Sequence, residues 1–164
     1  MSDFTQKEIK RILSNHIDWI ASGGAKGCQI ILSGADLTGA DLSGAILFRA
    51  DLSGANLAKT YLSWTNLSGA KLYAAKLYGA NLTEADLSRA DLREANLSGS
   101  DLTRSVLSET NLQGANLWNT SLCGADLLGA DLRVATAKEC WIFNAKFSSP
   151  KERARLLMLG AVER

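Results

Sequence analysis

The sequence predicts an all-β solenoid, in which the chain turns once per short repeat and stacks its turns into a rod. Leucine occupies every fifth position from Leu32 to Leu132, 21 times in succession. The residue two places before each leucine is nearly always small, as at Ala35 and Ala40. Glycine recurs two places after the leucines, beginning with Gly34, and suits a corner at which φ is positive.

A period of five residues fits neither of the regular straight elements. On an α-helix five residues advance by about 140° net, so the leucines would scatter around the axis. On a flat strand the faces alternate with a period of two, so every second leucine would point into water. The unit therefore has to turn once per repeat, and repeats that bury their apolar side only against their neighbours are typical of a solenoid.

The tandem unit Ala-(Asp/Asn)-Leu-x-Gly, seen for example at residues 35–39, resembles that of the pentapeptide-repeat family. The resemblance implies a right-handed quadrilateral β-helix with four pentapeptides in each coil. Residues 30–149 hold 24 consecutive units, which would give about six coils. We therefore assign residues 25–149 to a pentapeptide-repeat β-helix within a single domain.

The segment before the repeats, residues 1–24, is predicted to be an N-terminal capping helix. Residues 2–22 have helical periodicity, Thr5 and Glu8 form a capping box, and Gly23 ends the helix. An apolar helix laid across the first coil would cover both its leucines and its unpaired backbone edge. The apolar side of this helix consists of Ile9, Ile12, Leu13, His16, Ile17 and Ile20.

The segment after the repeats, residues 150–164, is predicted to be a short C-terminal capping helix. Ser149 is the expected N-cap, Pro150 suits the first helical position, and Glu152 completes a second capping box. The helix is expected to span residues 150–163. The helix has an apolar stripe formed by Ala154, Leu157, Met158 and Ala161, widened by Leu156 and Leu159. A stripe this broad also suits a two-fold dimer contact, so we expect either a monomer or a dimer through this helix.

The outward positions of the repeats carry mostly Asn, Asp, Ser and Thr, whose side chains can hydrogen-bond the neighbouring backbone turn. Several large aromatic residues break this polar rule. Exposed aromatic residues can mark an interaction patch, although scattered surface aromatic residues on a rod are the alternative. The candidate interaction patch consists of Tyr61, Trp64, Tyr73, Tyr78 and Trp118.

Composition limits the cellular setting. The formal net charge of +1 gives no sign of direct binding to nucleic acid, and no stretch of about 18 apolar residues suggests a membrane span. The charged N-terminus lacks the apolar core of a secretory signal. An odd, widely spaced set of cysteines argues against a disulfide scaffold, so we expect a cytoplasmic protein with reduced thiols. The family resemblance implies a bacterial protein. These cysteines are Cys28, Cys123 and Cys140.

The sequence shows none of the patterns that accompany catalysis. The one histidine, His16, lies on the apolar side of the N-terminal helix and is expected to be packed rather than to act as a ligand or base. No His/Cys cluster has metal-site spacing, and no glycine-rich phosphate loop is present. The carboxylates lie on outward ladders without an apolar cleft to raise a pKa. We expect no catalytic residue, no metal and no cofactor, and hence no enzyme.

The leading hypothesis is a non-catalytic structural or protein-interaction module, which presents its outer faces to an unknown protein partner. The alternative follows from the family resemblance: inhibition or protection of a type II topoisomerase, DNA gyrase, by mimicry of DNA. A mimic should be acidic, whereas residues 30–149 hold 12 acidic and 10 basic residues. Ice binding is a third class, but it uses rows of Thr that are absent here. The arginines that would interrupt an anionic stripe are Arg49, Arg89, Arg93 and Arg104.

Overall fold

The computed structural model describes residues 4–134 and 136–163. Residues 1–3, 135 and 164, which fall in the predicted capping segments and repeat tract, lie outside the described residues. The elements in chain order are helix α1 (Gln6–Ala21), a series of single-residue parallel β-bridges, and helix α2 (Pro150–Met158). The two helices and the solenoid between them agree with the coarse architecture that the sequence predicts.

The bridges define the register of the solenoid. Ile31 pairs with Asp51, Asp36 pairs with Asn56, and the same step of 20 residues continues to the pairing of Asp126 with Lys146. Each coil therefore contains four five-residue units. Within the described residues the pairing is confined to isolated bridges, because each side of a coil is too short for an extended strand.

Each unit satisfies its backbone in the same way. In the unit centred on Leu37, the Leu37 N–H donates to the carbonyl of Asn56 in the next coil at 2.8 Å. The Ala40 N–H closes the turn on the Leu37 carbonyl at 3.0 Å. The Asp36 side chain accepts from the Thr38 N–H at 2.9 Å, which is the contact expected of the outward Asp and Asn residues. Hydrogen bonds within the turn and between stacked coils thus pair the inward-facing N–H and carbonyl groups of the unit.

The interior is filled by leucine and by the small residues two places before it. Leucines from Leu52 to Leu107 are completely buried. Where a Thr or Ser replaces alanine inside, its hydroxyl donates to a leucine carbonyl, as from Thr60 to Leu57 at 2.6 Å. Among the described residues, every buried polar side-chain atom has a partner. The core is therefore a closed packing of side chains rather than a channel.

The corners, two places after each central residue, have left-handed backbone. Glycine takes many of these corners, as at Gly34 with φ 70°. Other residues adopt the same conformation where glycine is missing, for example Lys59 with φ 56° and Ala74 with φ 53°. A non-glycine residue costs about 1–2 kcal/mol in this region, so the stacking of coils has to hold these corners in place.

At the N-terminal end, α1 lies across the first coil. Its capping box is formed as expected, since the Thr5 hydroxyl accepts from the Glu8 N–H and the Glu8 carboxylate accepts from the Thr5 N–H. Ile9 is buried against the first leucines. Two side chains of α1 take over hydrogen bonds that a preceding coil would make: Gln6 Nε2 donates to the Asp41 carbonyl at 3.0 Å, and His16 Nε2 lies 3.0 Å from the Phe48 carbonyl.

His16 is a packed histidine, as the sequence predicts. The ring is completely buried and stacks on Trp19 with a centroid distance of 5.5 Å. The Ile30 N–H donates to His16 Nδ1 at 3.1 Å, which leaves Nε2 to carry the proton and donate to Phe48. Burial is the main cause that lowers the pKa of His16, so the ring is neutral in the fold.

At the C-terminal end, α2 is shorter than the sequence predicts, since it ends at Met158 rather than at residue 163. Gly160, with φ 92°, turns the chain back onto the last coil. There the Val162 N–H donates to the Cys140 carbonyl at 2.7 Å, and Val162 pairs in parallel with Trp141. The tail after α2 therefore contributes one side of a further coil.

The buried side of α2 also differs from the expected one. Leu156 is completely buried, whereas Met158, expected on the inner stripe, is 88% exposed. Ala154 is exposed as well. Because α2 ends after nine residues, only a short apolar contact is needed before the tail resumes backbone pairing.

Candidate functional site

Since the core is closed, any functional surface in the repeats lies on the outside. The 20-residue register sorts the units into four columns, which we number as faces by their first central leucine. Face 1 begins at Leu32, face 2 at Leu37, face 3 at Leu42 and face 4 at Leu47. Each unit presents three outward residues: the one before the centre and the two after it.

The structure does not gather the five predicted aromatic residues onto one face. Tyr61 and Trp64 belong to one unit of face 3, and Tyr73 belongs to face 1. Tyr78 and Trp118 lie in the same column of face 2, two coils apart. All five side chains are exposed. Proximity in the sequence therefore overstated their grouping, because neighbouring units point in different directions.

Two of these aromatic residues are already engaged by neighbouring carboxylates. Trp64 Nε1 donates to Glu84 at 3.2 Å, and the Tyr73 hydroxyl donates to Glu94 at 2.9 Å. The hydrogen bond to Glu94 is the main cause that raises the pKa of Tyr73. The side chains of Tyr78 and Trp118, by contrast, make no hydrogen bond to any residue that the structure describes.

Salt bridges pair most of the charges of face 1 and some of those of faces 3 and 4. On face 1 Arg93 bonds Asp91 at 2.7 Å, and on face 4 Arg89 bonds Glu109 at 3.0 Å. Hydrogen bonds from Arg93 are the main cause that lowers the pKa of Asp91. These carboxylates therefore stay ionised as acceptors and are unsuited to donate protons near neutral pH.

Face 2 has a different charge pattern, which the sequence reasoning missed. Lys59, Lys76 and Lys138 all project from it, and their ammonium groups have no hydrogen bond or ion pair within the described residues. Between residues 56 and 138 the face carries no carboxylate. The signal in the sequence is the spacing of the charged residues by multiples of 20, which places them in columns.

The remaining chemistry-bearing groups do not form a site. Cys28 is exposed, Cys123 is half-buried, and Cys140 is buried, which raises the pKa of its thiol to about 12. A thiol with that pKa is inert as a nucleophile. Across the described ranges no cluster of three His, Cys, Asp or Glu side chains could hold a metal ion.

A small cavity lies under α1. It is lined only by apolar side chains, among them Ile9 of the helix and Leu37 of the first coil. Such a cavity offers neither a proton donor nor a ligand for a cofactor. Within the described part of the chain, neither helix reaches the length and apolarity needed to cross a bilayer.

A solenoid of five-residue units with a closed leucine core defines the class of protein, a β-solenoid repeat protein. The family model for pentapeptide repeats (8 copies) matches residues 30–69, 45–83, 70–108, 100–136 and 110–148. These segments together cover well over half of the chain, and the chain belongs to the pentapeptide repeat family. A comparison with curated proteins found no significant match.

Several solved structures are similar. HetL, a pentapeptide repeat protein involved in heterocyst differentiation regulation in the cyanobacterium Nostoc sp. strain PCC 7120, is 37% identical with a TM-score of 0.58. The match covers 87% of this chain and 53% of HetL, so this chain spans about half the length of HetL. Rfr23 from the cyanobacterium Cyanothece 51142 is 34% identical over 68% of this chain and 67% of its own, with a TM-score of 0.38.

Proposed function

We propose that this chain is a non-catalytic protein-interaction module, a rigid solenoid that presents its outer faces to a protein partner. The observation that carries the proposal is the closed core: leucines from Leu52 to Leu107 are fully buried, so function has to reside on the exterior. The outward ladders of short polar side chains support a surface built for contact rather than for chemistry. No enzymatic activity, metal or cofactor forms part of the proposal.

The proposal takes the solenoid to be a right-handed quadrilateral β-helix of about six coils. The step of 20 residues between paired positions supports four sides per coil, and residues 30–149 supply the length. At about 4.8 Å between coils, the rod would be roughly 29 Å long. The residue ranges 1–24, 25–149 and 150–164 then act as N-terminal cap, β-helix and C-terminal cap.

The similarity to HetL supports a regulatory setting, since that protein is involved in heterocyst differentiation regulation. We infer a cytoplasmic location, for which the three free thiols give support. We further propose a monomer or a dimer through α2. The exposed Met158 offers such a contact, and light scattering on the purified chain distinguishes the two states.

The charge map disfavours mimicry of DNA as the function. The formal charges of faces 1 to 4 within residues 30–149 are −1, +1, −2 and 0. A DNA mimic directed at a topoisomerase requires a continuous anionic surface, and none of the four columns supplies one. The ion pair of Arg104 with Glu84 interrupts even face 3, the most acidic of them.

Affinity capture from the native cell tests the proposal. The tagged chain should retain a defined partner that excess untagged chain displaces, whereas a contaminant would survive this competition. Failure to retain any displaceable protein would contradict an interaction function. A DNA gyrase supercoiling assay titrated with purified protein provides the counter-test. Inhibition at low micromolar protein would overturn the charge argument, and we expect no effect at tens of micromolar.

A further inference from the structure

We propose that face 2 is a docking surface for an acidic segment of a protein partner, held by Lys59 and Lys76 and by the rings of Tyr78 and Trp118. The inference rests on the proposed interaction function and adds to it the surface and the chemistry of the partner. Charge complementarity and the exposed rings carry it.

The first argument is the charge of the face. Face 2 is the one column of the four with a net positive charge, because it carries three lysines and two carboxylates. The carboxylates, Asp36 and Glu139, stand at its two ends. On face 1, in comparison, Lys71 lies 3.6 Å from Asp51 and Arg133 bonds Asp131 at 2.5 Å. The cations of face 1 are therefore paired within the chain, whereas Lys59 and Lys76 form no salt bridge among the described residues, and Lys76 acts on Asp36 through its charge alone.

The second argument is the cluster that surrounds Tyr78. The Lys59 N–H donates to the Tyr78 carbonyl at 3.0 Å, which places these two residues on adjacent coils. Lys76 precedes Tyr78 by two positions and pairs with Asn56 and Asn96 above and below it. Two lysines without a salt bridge are thus close neighbours of one exposed tyrosine, a combination that can hold a carboxylate beside an apolar side chain.

Face 2 also carries two exposed rings in one column, with small residues between them. Tyr78 is 41% exposed and Trp118 is 46% exposed, and they are separated along their column by Ser98. Two coils at about 4.8 Å each place the two residues about 9.6 Å apart. Ser98 and Gly99, the outward residues between them, are small, so no bulky side chain separates the two rings.

The surface between the two rings carries amide donors. The side-chain oxygens of Asn96 and Asn116 accept from the backbone N–H groups of Ser98 at 3.1 Å and Trp118 at 3.0 Å. The Asn116 amide nitrogen in turn donates to the Asn96 oxygen at 3.3 Å. The acceptors are thus occupied, while N–H donors remain, and a donor-rich surface matches carboxylates and peptide carbonyls.

A protein segment fits this face better than a nucleic acid does. Glu94, on the corner before face 2, and Asp101, at the start of face 3, place carboxylates along its two edges. Affinity for nucleic acid grows with the number of phosphates neutralised, and three lysines between acidic edges neutralise few. A peptide with a few carboxylates and apolar side chains can lie within the strip and avoid both edges.

Binding of a model acidic polypeptide tests the inference. The probe is a fluorescein-labelled random copolymer of Glu and Tyr in a ratio of about four to one, followed by anisotropy at low and high salt. The test variant is Lys59→Glu/Lys76→Glu. The matched control is Arg49→Glu/Lys146→Glu, which changes the net charge equally. Arg49 and Lys59 are both corner residues with φ 56°, and Lys76 and Lys146 both precede a central residue.

The expected result is salt-sensitive binding that the face 2 variant weakens by at least about tenfold and the control by less than about twofold. Equal weakening by the two variants would reduce the effect to overall charge and overturn the inference, as would absence of binding. Tighter binding of a single-stranded dT20 oligonucleotide than of the copolymer would identify a nucleic-acid surface instead. Thermal melts verify folding, and Lys59→Gln/Lys76→Gln replaces the test variant if it is unfolded.

The rings are tested separately. Tyr78→Ala/Trp118→Ala should weaken copolymer binding by about fivefold or more, whereas Trp64→Ala on face 3 should leave it unchanged. Equal effects of the two variants would count against a docking role of the face 2 rings. Affinity capture separates this inference from the proposed function. A partner that the wild type and Lys59→Glu/Lys76→Glu retain equally would overturn the surface while the interaction function stands.

Discussion

The two ends of the solenoid are closed by different means. At the N-terminal end, side chains of α1, Gln6 and His16, donate to carbonyls that a preceding coil would satisfy. At the C-terminal end the backbone itself continues the pattern, since Val162 exchanges hydrogen bonds with Cys140 and Ile142. The backbone groups at the edge of a coil can therefore be hydrogen-bonded either by side chains that replace the missing coil or by one more stretch of paired backbone.

The difference has a consequence for sensitivity to conditions. Closure through side chains makes the N-terminal end depend on a titratable group, His16, and on the helix that carries it. Closure through the backbone makes the C-terminal end depend on the turn at Gly160, where φ is 92°, and on the anchoring of α2 by Leu156.

Removal of residues 1–24 should cause the chain to self-associate, because it exposes the leucines and the unpaired edge of the first coil. The measurement is mass by light scattering over a range of concentrations. Removal of residues 159–164 is the comparison truncation, and it should raise the mass less, because α2 still covers the last coil although the backbone groups of Cys140 and Ile142 lose their partners. If the variant without residues 1–24 stays soluble and monomeric, the capping role of α1 is contradicted.

Leu156→Ala should lower the free energy of unfolding by about 2–4 kcal/mol, because it removes the one fully buried side chain of α2. Met158→Ala in the same helix should change it by less than about 0.5 kcal/mol, since that side chain is exposed. Urea unfolding measures both. Similar values for the two variants would mean that backbone pairing alone, without α2, closes the C-terminal end.

Acidification should loosen the N-terminal end first. The pKa of His16 is lowered in the fold, mainly by burial, so below its ordinary pKa of about 6.5 the unfolded chain binds the proton more readily. Stability is therefore complete above that value and falls as the pH drops towards the folded pKa. Urea midpoints at about pH 7.5 and 5.5 should differ more for the wild type than for His16→Gln. An equal pH dependence in both would refute the role of His16.

Substitutions at the corners of the coils between the two ends should change the stability least. Ala74→Gly should stabilise the fold by about 0.5–1 kcal/mol, because it relieves a left-handed corner at the cost of some chain entropy. Gly34→Ala should destabilise it by about 1 kcal/mol, and since nothing lies within 4 Å of an added Cβ, the cost is conformational alone. Thermal melts compare the two, and effects of the same sign would disprove the corner argument.

The solenoid and α1 could be predicted from the sequence because their signals are local. The leucine spacing repeats every five residues, and the Thr5 and Glu8 capping box lies within one helical turn. The end of α2 also has a local signal, Gly160 with φ 92° directly after the C-cap, although the apolar spacing continues beyond it. The return of the tail to the last coil could not be predicted in this way, because Val162 pairs with Trp141, 21 positions earlier.

The candidate surface was predictable only in part. Exposure of the aromatic residues follows from their outward positions, and the structure agrees. Their division among faces depends on the number of units per coil, which a five-residue period does not contain. The lack of salt bridges on face 2 is recognised only once the pairs across coils are known, as for Arg89 with Glu109, because such a pair joins residues 20 positions apart.

The 20-residue register also governs how such a chain can change in length. Insertion or loss of one pentapeptide leaves every leucine inside, yet it moves each later residue to the neighbouring face. Only a change of one whole coil preserves the core and the surface together. Two relatives whose repeats differ by a gap of one unit would thus share a fold while exchanging their binding faces. Insertion or deletion of single pentapeptides can therefore change which residues meet a partner without changing the packing of the core.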